Sequence, residues 1–260
     1  MKAAVYYGPG DVRIEDRERP VPGNGEVLLK VTRSGMCGTD ASEWKSGPII
    51  FPLNKPHPVS GHMGPLILGH EFIGEIVELG TGVTGWAHGD RAASGAGISC
   101  GLCARCLEGR TNLCQQYVTH GLNRHGGMAE FVAVPISTLV ALPKGLSDDR
   151  AGLAQPLAVG LHAARRAGVK SGDTVVLIGA GAIGTFVLAG LKHLYQASVV
   201  VVDFAGERLD RAARLGADQI VTVDEHTDAN VREAVGALGA DVVIEASGAP
   251  GQINRGASWL

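Results

Sequence analysis

The sequence has few long apolar runs, few aromatic side chains and little excess charge of either sign. Apolar stretches such as Val199–Val202 are far shorter than the roughly 20 residues that span a bilayer, so no membrane partner is expected. Aromatic residues make up 5%, and 23 basic side chains stand against 26 acidic ones for a net charge of -3. Without a basic block there is no electrostatic footprint for nucleic acid. There is no internal repeat and no low-complexity tract. Met1–Gly8 contains neither a long apolar core nor a cleavage site, so no signal peptide is expected and the predicted setting is cytoplasmic. Cysteine is scarce, with five residues, and in a reducing setting cysteines more often bind metal than pair with one another.

What is abundant is glycine, 38 of 260 residues, in a chain that is 45% hydrophobic. Residues 1–153 are broken by Gly and Pro every few positions. The short apolar segments between the breaks, such as Glu26–Thr32 and Phe72–Leu79, predict short strands in a β-rich unit. Segment 47–66 holds five prolines and predicts a long irregular loop, a length often tied to function. Residues 154–260 follow another pattern. A helix is predicted over 157–167, then strands at Thr174–Ile178, Ser198–Asp203, Gln219–Val223 and Asp241–Ala246, with helices reaching about Tyr195 and over Glu207–Leu215 and Asp228–Leu238. That alternation predicts a parallel α/β sheet.

Gly179-Ala180-Gly181-Ala182-Ile183-Gly184 fits G-x-G-x-x-G, and it directly follows the first of these strands and opens a helix. Asp203 ends the next strand, 19 positions after Gly184. Together these form a dinucleotide fingerprint. Gly179 permits the tight turn, Gly181 lets a pyrophosphate approach the backbone, and Gly184 lets helix and strand pack closely. The helix N-terminus, at Ile183 and its neighbours, offers free N–H groups to phosphate. Asp203 can accept hydrogen bonds from the ribose hydroxyls, and its charge opposes a 2′-phosphate, which favours NAD. Arg208 is a candidate to cover the adenine.

Cys100, Cys103, Cys106 and Cys114 are spaced C-x2-C-x2-C-x7-C, which can close a tetrahedral shell around a structural zinc ion. An iron–sulfur cluster is the competing reading of the first three, although Gln115 stands where the usual proline would follow. The fifth cysteine, Cys37, with His70 and Glu71, supplies a thiolate, an imidazole and a carboxylate that could hold a second zinc ion with one position open.

Gly69-His70-Glu71-Phe72-Ile73-Gly74 through Val83, with Cys37-Gly38-Thr39-Asp40, the cysteine lobe and Gly179–Gly184 in this order, resembles the medium-chain zinc-dependent alcohol dehydrogenase family over nearly the whole chain. The 47–61 loop and Pro156–Ala163 most resemble its 2,3-butanediol and sorbitol dehydrogenase branch. The resemblance implies a GroES-like catalytic domain joined to a Rossmann NAD-binding domain. It implies a catalytic zinc ion on Cys37 and His70 with Glu71 as ligand or close partner. Asp40 would orient His70 through its other ring nitrogen, and Thr39 would carry away the proton of a small-molecule alcohol. A homo-oligomer is expected at full length.

Three departures stand out. Ser42 occupies a position where the family often has a relay histidine, which leaves His57 and His62 on the loop as candidates. Gln155 replaces a glutamate at or near the catalytic metal; it predicts either a looser ion or a water-filled position. After Glu245 and Ser247-Gly248 the family continues with further strands. The dinucleotide domain is therefore expected to be C-terminally incomplete and its fourth strand an exposed edge. The expected activity is hydride transfer between a secondary alcohol (a vicinal diol, acyloin or polyol) and NAD. A threonine dehydrogenase-like enzyme and a truncated, non-catalytic NAD-binding remnant are the alternatives.

Overall fold

The computed structural model describes residues 1–260, which divide into two compact units, Met1–Gln155 and Pro156–Leu260. No helix is long and apolar enough to cross a membrane.

The first unit runs through β1 (Lys2–Gly8), β2 (Asp11–Asp16), β3 (Glu26–Gly35), α1 (Gly38–Ser46), β4 (Leu66–Ile67), β5 (Glu71–Leu79), β6 (Arg91–Ser94), β7 (Gly97–Ile98), α2 (Ala104–Leu107), β8 (Val118–Thr119), β9 (Phe131–Pro135), β10 (Leu139–Ala141) and α3 (Asp148–Ala151). Its main sheet has the order β10-β6-β5-β3-β9, with antiparallel neighbours throughout. Strand alternation turns Val27, Leu29, Phe72, Ile76, Val132 and Val134 into one buried cluster. Each such side chain contributes about 1.5–3 kcal/mol by leaving water. Two register shifts interrupt β3 against β5, after which the ladder ends on the pair Gly35 and Glu71. That pairing brings the segment leading to Cys37 beside the start of β5. The loop expected over 47–66 has no regular structure until β4 begins at Leu66.

α4 (Ala154–Arg166) starts three residues earlier than predicted from the sequence. Pro156 lies in its first turn, where a missing N–H costs no intrahelical bond. The second unit then alternates β11 (Thr174–Ile178), α5 (Ala182–Leu194), β12 (Ser198–Asp203), α6 (Glu207–Arg214), β13 (Gln219–Thr222), α7 (Thr227–Val235), β14 (Val242–Glu245) and α8 (Gln252–Ala257). All ladders are parallel, in the order β13-β12-β11-β14. Alternate residues of β11 and β12 face opposite layers. Val175, Leu177, Val199 and Val201 meet Val187, Leu188 and Leu191 of α5. Val176, Ile178, Val200 and Val202 meet Val231 and Trp259. Burial on both faces explains why these strands are unbroken apolar runs in the sequence. α4 and α5 approach closely because Gly160 leaves room for Phe186, whose Cβ lies 2.4 Å from where a Cβ on Gly160 would sit.

Candidate active site

Cys37 caps the N-terminus of α1 with extended backbone (φ -85°, ψ 158°), and its N–H donates to Asp40 Oδ2 at 2.9 Å. The local chain Cys-Gly-Thr-Asp is therefore a self-closed helix start. Thr39 Oγ1 lies 3.7 Å from Cys37 Sγ. From the other side, Gly69 at φ +95° turns the chain into β5, which places His70 and Glu71. A Cβ on Gly69 would sit 2.7 Å from Met128, and one on Gly35 would sit 2.4 Å from Glu71 Oε2. Both glycines are thus required by close approach.

The ligand atoms of Cys37, His70 and Glu71 all fall within 4.8 Å of one another. A tetrahedral zinc ion with bonds of about 2.0–2.3 Å holds its ligands about 3.3–3.8 Å apart, so this donor set fits with a small contraction. Burial supports the same reading. Asp40, His70 and Glu71 are all buried, and a cation offsets acids that water cannot reach. Burial pushes the Asp40 and Glu71 carboxyls above their ordinary range. The facing His70 ring lowers the Cys37 thiol, and although burial opposes charge on His70, Cys37 and Asp40 raise its pKa overall. His70 Nδ1 and Asp40 Oδ1 are buried without hydrogen-bond partners and lie 3.9 Å apart, longer than a hydrogen bond.

The four cysteines of the lobe also converge within 4.8 Å. Cys103 Sγ stands 3.6 Å from Cys106 Sγ and 3.9 Å from Cys114 Sγ. A disulfide would need about 2.05 Å, whereas thiolates around one zinc ion stand about 3.8 Å apart. Backbone N–H groups of Cys100 and Gln116 point at Cys114 Sγ, and that of Cys103 at Cys100 Sγ. N–H groups of Gln115 and Cys106 lower the Cys103 thiol to about 6, while burial raises Cys106 to about 11.

In the second unit, Gly179 takes φ +99° and Gly181 caps α5. A Cβ on Gly184 would lie 1.9 Å from the Gly179 carbonyl oxygen, whereas one on Gly181 would meet nothing within 4 Å. Gly184 therefore serves packing, and Gly181 leaves open space in front of the helix start, where Ile183 lies in the first turn. Asp203 is buried and accepts from the N–H groups of Ala180 and Phe204, each at 2.7 Å. It thus ties the glycine turn to the end of β12, a role not expected from sequence. Arg208 is exposed and makes no side-chain hydrogen bond; Arg211 instead donates to the Ala180 carbonyl at 3.3 Å.

Of the other candidates, Ser42 is exposed on α1, and Gln155 is half-buried in the first turn of α4 with no side-chain hydrogen bond. His57 uses Nδ1 to accept from the Ser60 N–H at 3.1 Å. His62 stacks edge-on against His125 at 4.8 Å in a cavity of about 1060 Å³ that none of Cys37, Thr39, His70 or Glu71 lines. Sequence reasoning passed over Glu43, buried on α1, and Gly35. The signal for Gly35 was its strand-end position two residues before Cys37.

Comparison with known proteins matches residues 23–144 to the alcohol dehydrogenase GroES-like domain and residues 182–260 to the zinc-binding dehydrogenase family. The chain is 37% identical over 254 residues to (R,R)-butanediol dehydrogenase of Bacillus subtilis, covering 96% of this chain and 71% of that protein. A crystal structure of the 2R,3R-butanediol dehydrogenase from Bacillus subtilis superposes with a TM-score of 0.89 at 35% identity, covering 99% of this chain and 74% of that one. L-threonine 3-dehydrogenase of Burkholderia thailandensis is 36% identical over 252 residues, covering 95% of this chain and 70% of that protein. An alcohol dehydrogenase of Escherichia coli solved with NADH gives a TM-score of 0.88 at 28% identity, covering 100% of this chain and 73% of that one. With a family model matched in each of its units and a relative 37% identical over 96% of its length, the chain belongs to the medium-chain zinc-dependent alcohol dehydrogenase family and is an NAD-linked alcohol oxidoreductase of that family.

Proposed function

We propose that the chain oxidises a secondary alcohol bearing a neighbouring oxygen, a vicinal diol or the corresponding acyloin, with NAD as hydride acceptor. The observation that carries this reading is the convergence of Cys37, His70 and Glu71 next to the Thr39 hydroxyl. In the overall change the carbinol carbon gives a hydride to the nicotinamide and the hydroxyl gives up a proton, leaving a ketone, NADH and H⁺. Cys37, His70 and Glu71 would hold a zinc ion, which when bound would supply Lewis acidity to a nearby hydroxyl, and NAD would supply the hydride acceptor. Thr39 Oγ1, 3.7 Å from Cys37 Sγ, would receive the substrate proton, since Ser42 cannot titrate near neutrality. Asp40 Oδ1, 3.9 Å from His70 Nδ1, would orient that ring on closing to hydrogen-bond distance. Cys100, Cys103, Cys106 and Cys114 hold the structural ion. Gly179, Gly181, Ile183 and Gly184 form the phosphate cradle, and the Asp203 carboxylate discriminates against a 2′-phosphate.

The diol assignment draws support from the similarity to butanediol dehydrogenase and from the 47–61 loop. L-Threonine, also a secondary alcohol with an adjacent heteroatom, is the second reading, favoured by the 36% identity to threonine dehydrogenases. NADH formation with butane-2,3-diol isomers, sorbitol and L-threonine separates them. Preferred turnover of one diol isomer is expected; turnover of threonine alone would reverse the assignment, and NAD binding without any turnover would mark a remnant.

A further inference from the structure

α1 buries only two residues, Asp40 and Glu43, and both are acids. A helix normally docks through an apolar stripe. This one has none, so its pose depends on what the two carboxylates hold. Asp40 closes the first turn on the Cys37 N–H. Glu43, 1% exposed, lies one turn, about 5.4 Å, beyond Thr39 on the same face. Its Oε2 accepts from the Ile49 N–H at 2.9 Å, and its Oε1 accepts from Ile50 and, at 3.3 Å, from Phe51. Three successive backbone donors therefore converge on one buried carboxylate. The Glu43 carbonyl is engaged as well, by the Tyr6 hydroxyl at 3.0 Å and the Gly47 N–H at 2.8 Å. Tyr6 in turn meets the Phe51 ring edge-on at 4.9 Å. Gly47 admits no side chain, since a Cβ would lie 2.4 Å from Glu43 Oε2. Helix, loop start and β1 are thus joined at a single residue.

We infer that Glu43 is a positioning residue: by gathering the amides of Ile49–Phe51 it fixes the pose of α1, and so of Cys37 and Thr39 at its N-terminal end. This rests on the reading above that those two residues serve the reaction. A carboxylate presents acceptors in every direction the three amides need. The amide of Gln would turn an N–H₂ toward a backbone N–H. Removing a supporting partner of this kind typically costs about 10–100-fold in activity or metal affinity.

The test uses the full chain loaded with zinc, with the variants Glu43→Gln and Gly47→Ala, the second of which crowds the Glu43 carboxylate, its carbonyl and the Tyr6 hydroxyl from the loop side. In both, amide hydrogen exchange at Ile49, Ile50 and Phe51 is expected to accelerate while β3 and β5 stay protected. One of the two zinc ions is expected to leave to a chelator about tenfold faster while the other leaves at the parent rate. The kcat is expected to fall about tenfold or more with KM for NAD unchanged. Accelerated exchange with unaltered zinc release and kcat would reduce Glu43 to a loop tie and overturn the inference, as would unaltered exchange or a general loss of protection in both variants. If the parent turns over no alcohol, the substrate reading fails, while exchange and zinc release still decide the role of Glu43.

Discussion

His120 offers a quantitative check on how the first unit is packed. Its ring is fully buried, Nδ1 faces the His125 carbonyl at 3.1 Å, Nε2 has no partner, and the Phe72 ring lies edge-on at 6.0 Å. A second proton would place a charge and an unpaired donor in that space. Burial, aided by Arg124, lowers the pKa to about 4, against the ordinary value of 6.5. The unfolded chain therefore takes up a proton between these values that the folded chain refuses, so stability rises with pH across that window and is lost on acidification. Each pH unit within it is worth about 1.4 kcal/mol. By pH 5 the loss is about 2 kcal/mol, with a limit of about 3 kcal/mol below pH 4. His120→Asn keeps a donor for the His125 carbonyl but cannot titrate. Denaturant melts of parent and variant at matched zinc loading, at pH 7 and pH 5, measure the difference. The variant is expected to be less stable at pH 7 yet to lose about 2 kcal/mol less on going to pH 5. The same loss in both proteins would refute the argument, because the proton would then be entering elsewhere.

Other outcomes follow from close contacts. Gly35→Ala puts a Cβ against Glu71 Oε2 and should weaken zinc at the Cys37 cluster by about 10–100-fold in chelator competition, with the cysteine-lobe ion unaffected. Gly184→Ala collides with the Gly179 carbonyl and should abolish NAD binding, read by cofactor titration, while zinc content stays at the parent level. Gln155→Glu restores the carboxylate that the resemblance to the family implies at or near the catalytic ion and should slow zinc loss to a chelator; equal retention would mean that Gln155 does not approach the metal.

The parts of the molecule legible in the sequence are those whose pattern has one physical cause. β11 and β12 were predicted at their observed bounds because strands buried on both faces must be apolar throughout. The glycine turn was legible because tight approach excludes every side chain at Gly184. α1 was not, since its buried face is Asp40 and Glu43 and leaves no apolar period to read. The acid that ends β12 was legible at Asp203, but its bond to the Ala180 N–H was not, because it depends on two loops meeting in space. His120 carries no local signal at all; only its complete burial sets it apart from the other eight histidines.

The proposed chemistry requires that Cys37, His70 and Glu71 share one ion. Metal analysis of purified Cys37→Ala beside the parent tests it most directly. The variant is expected to lose one zinc ion per chain and all turnover, while it keeps the cysteine-lobe ion and binds NAD as the parent does. Parental zinc content with parental turnover would contradict it.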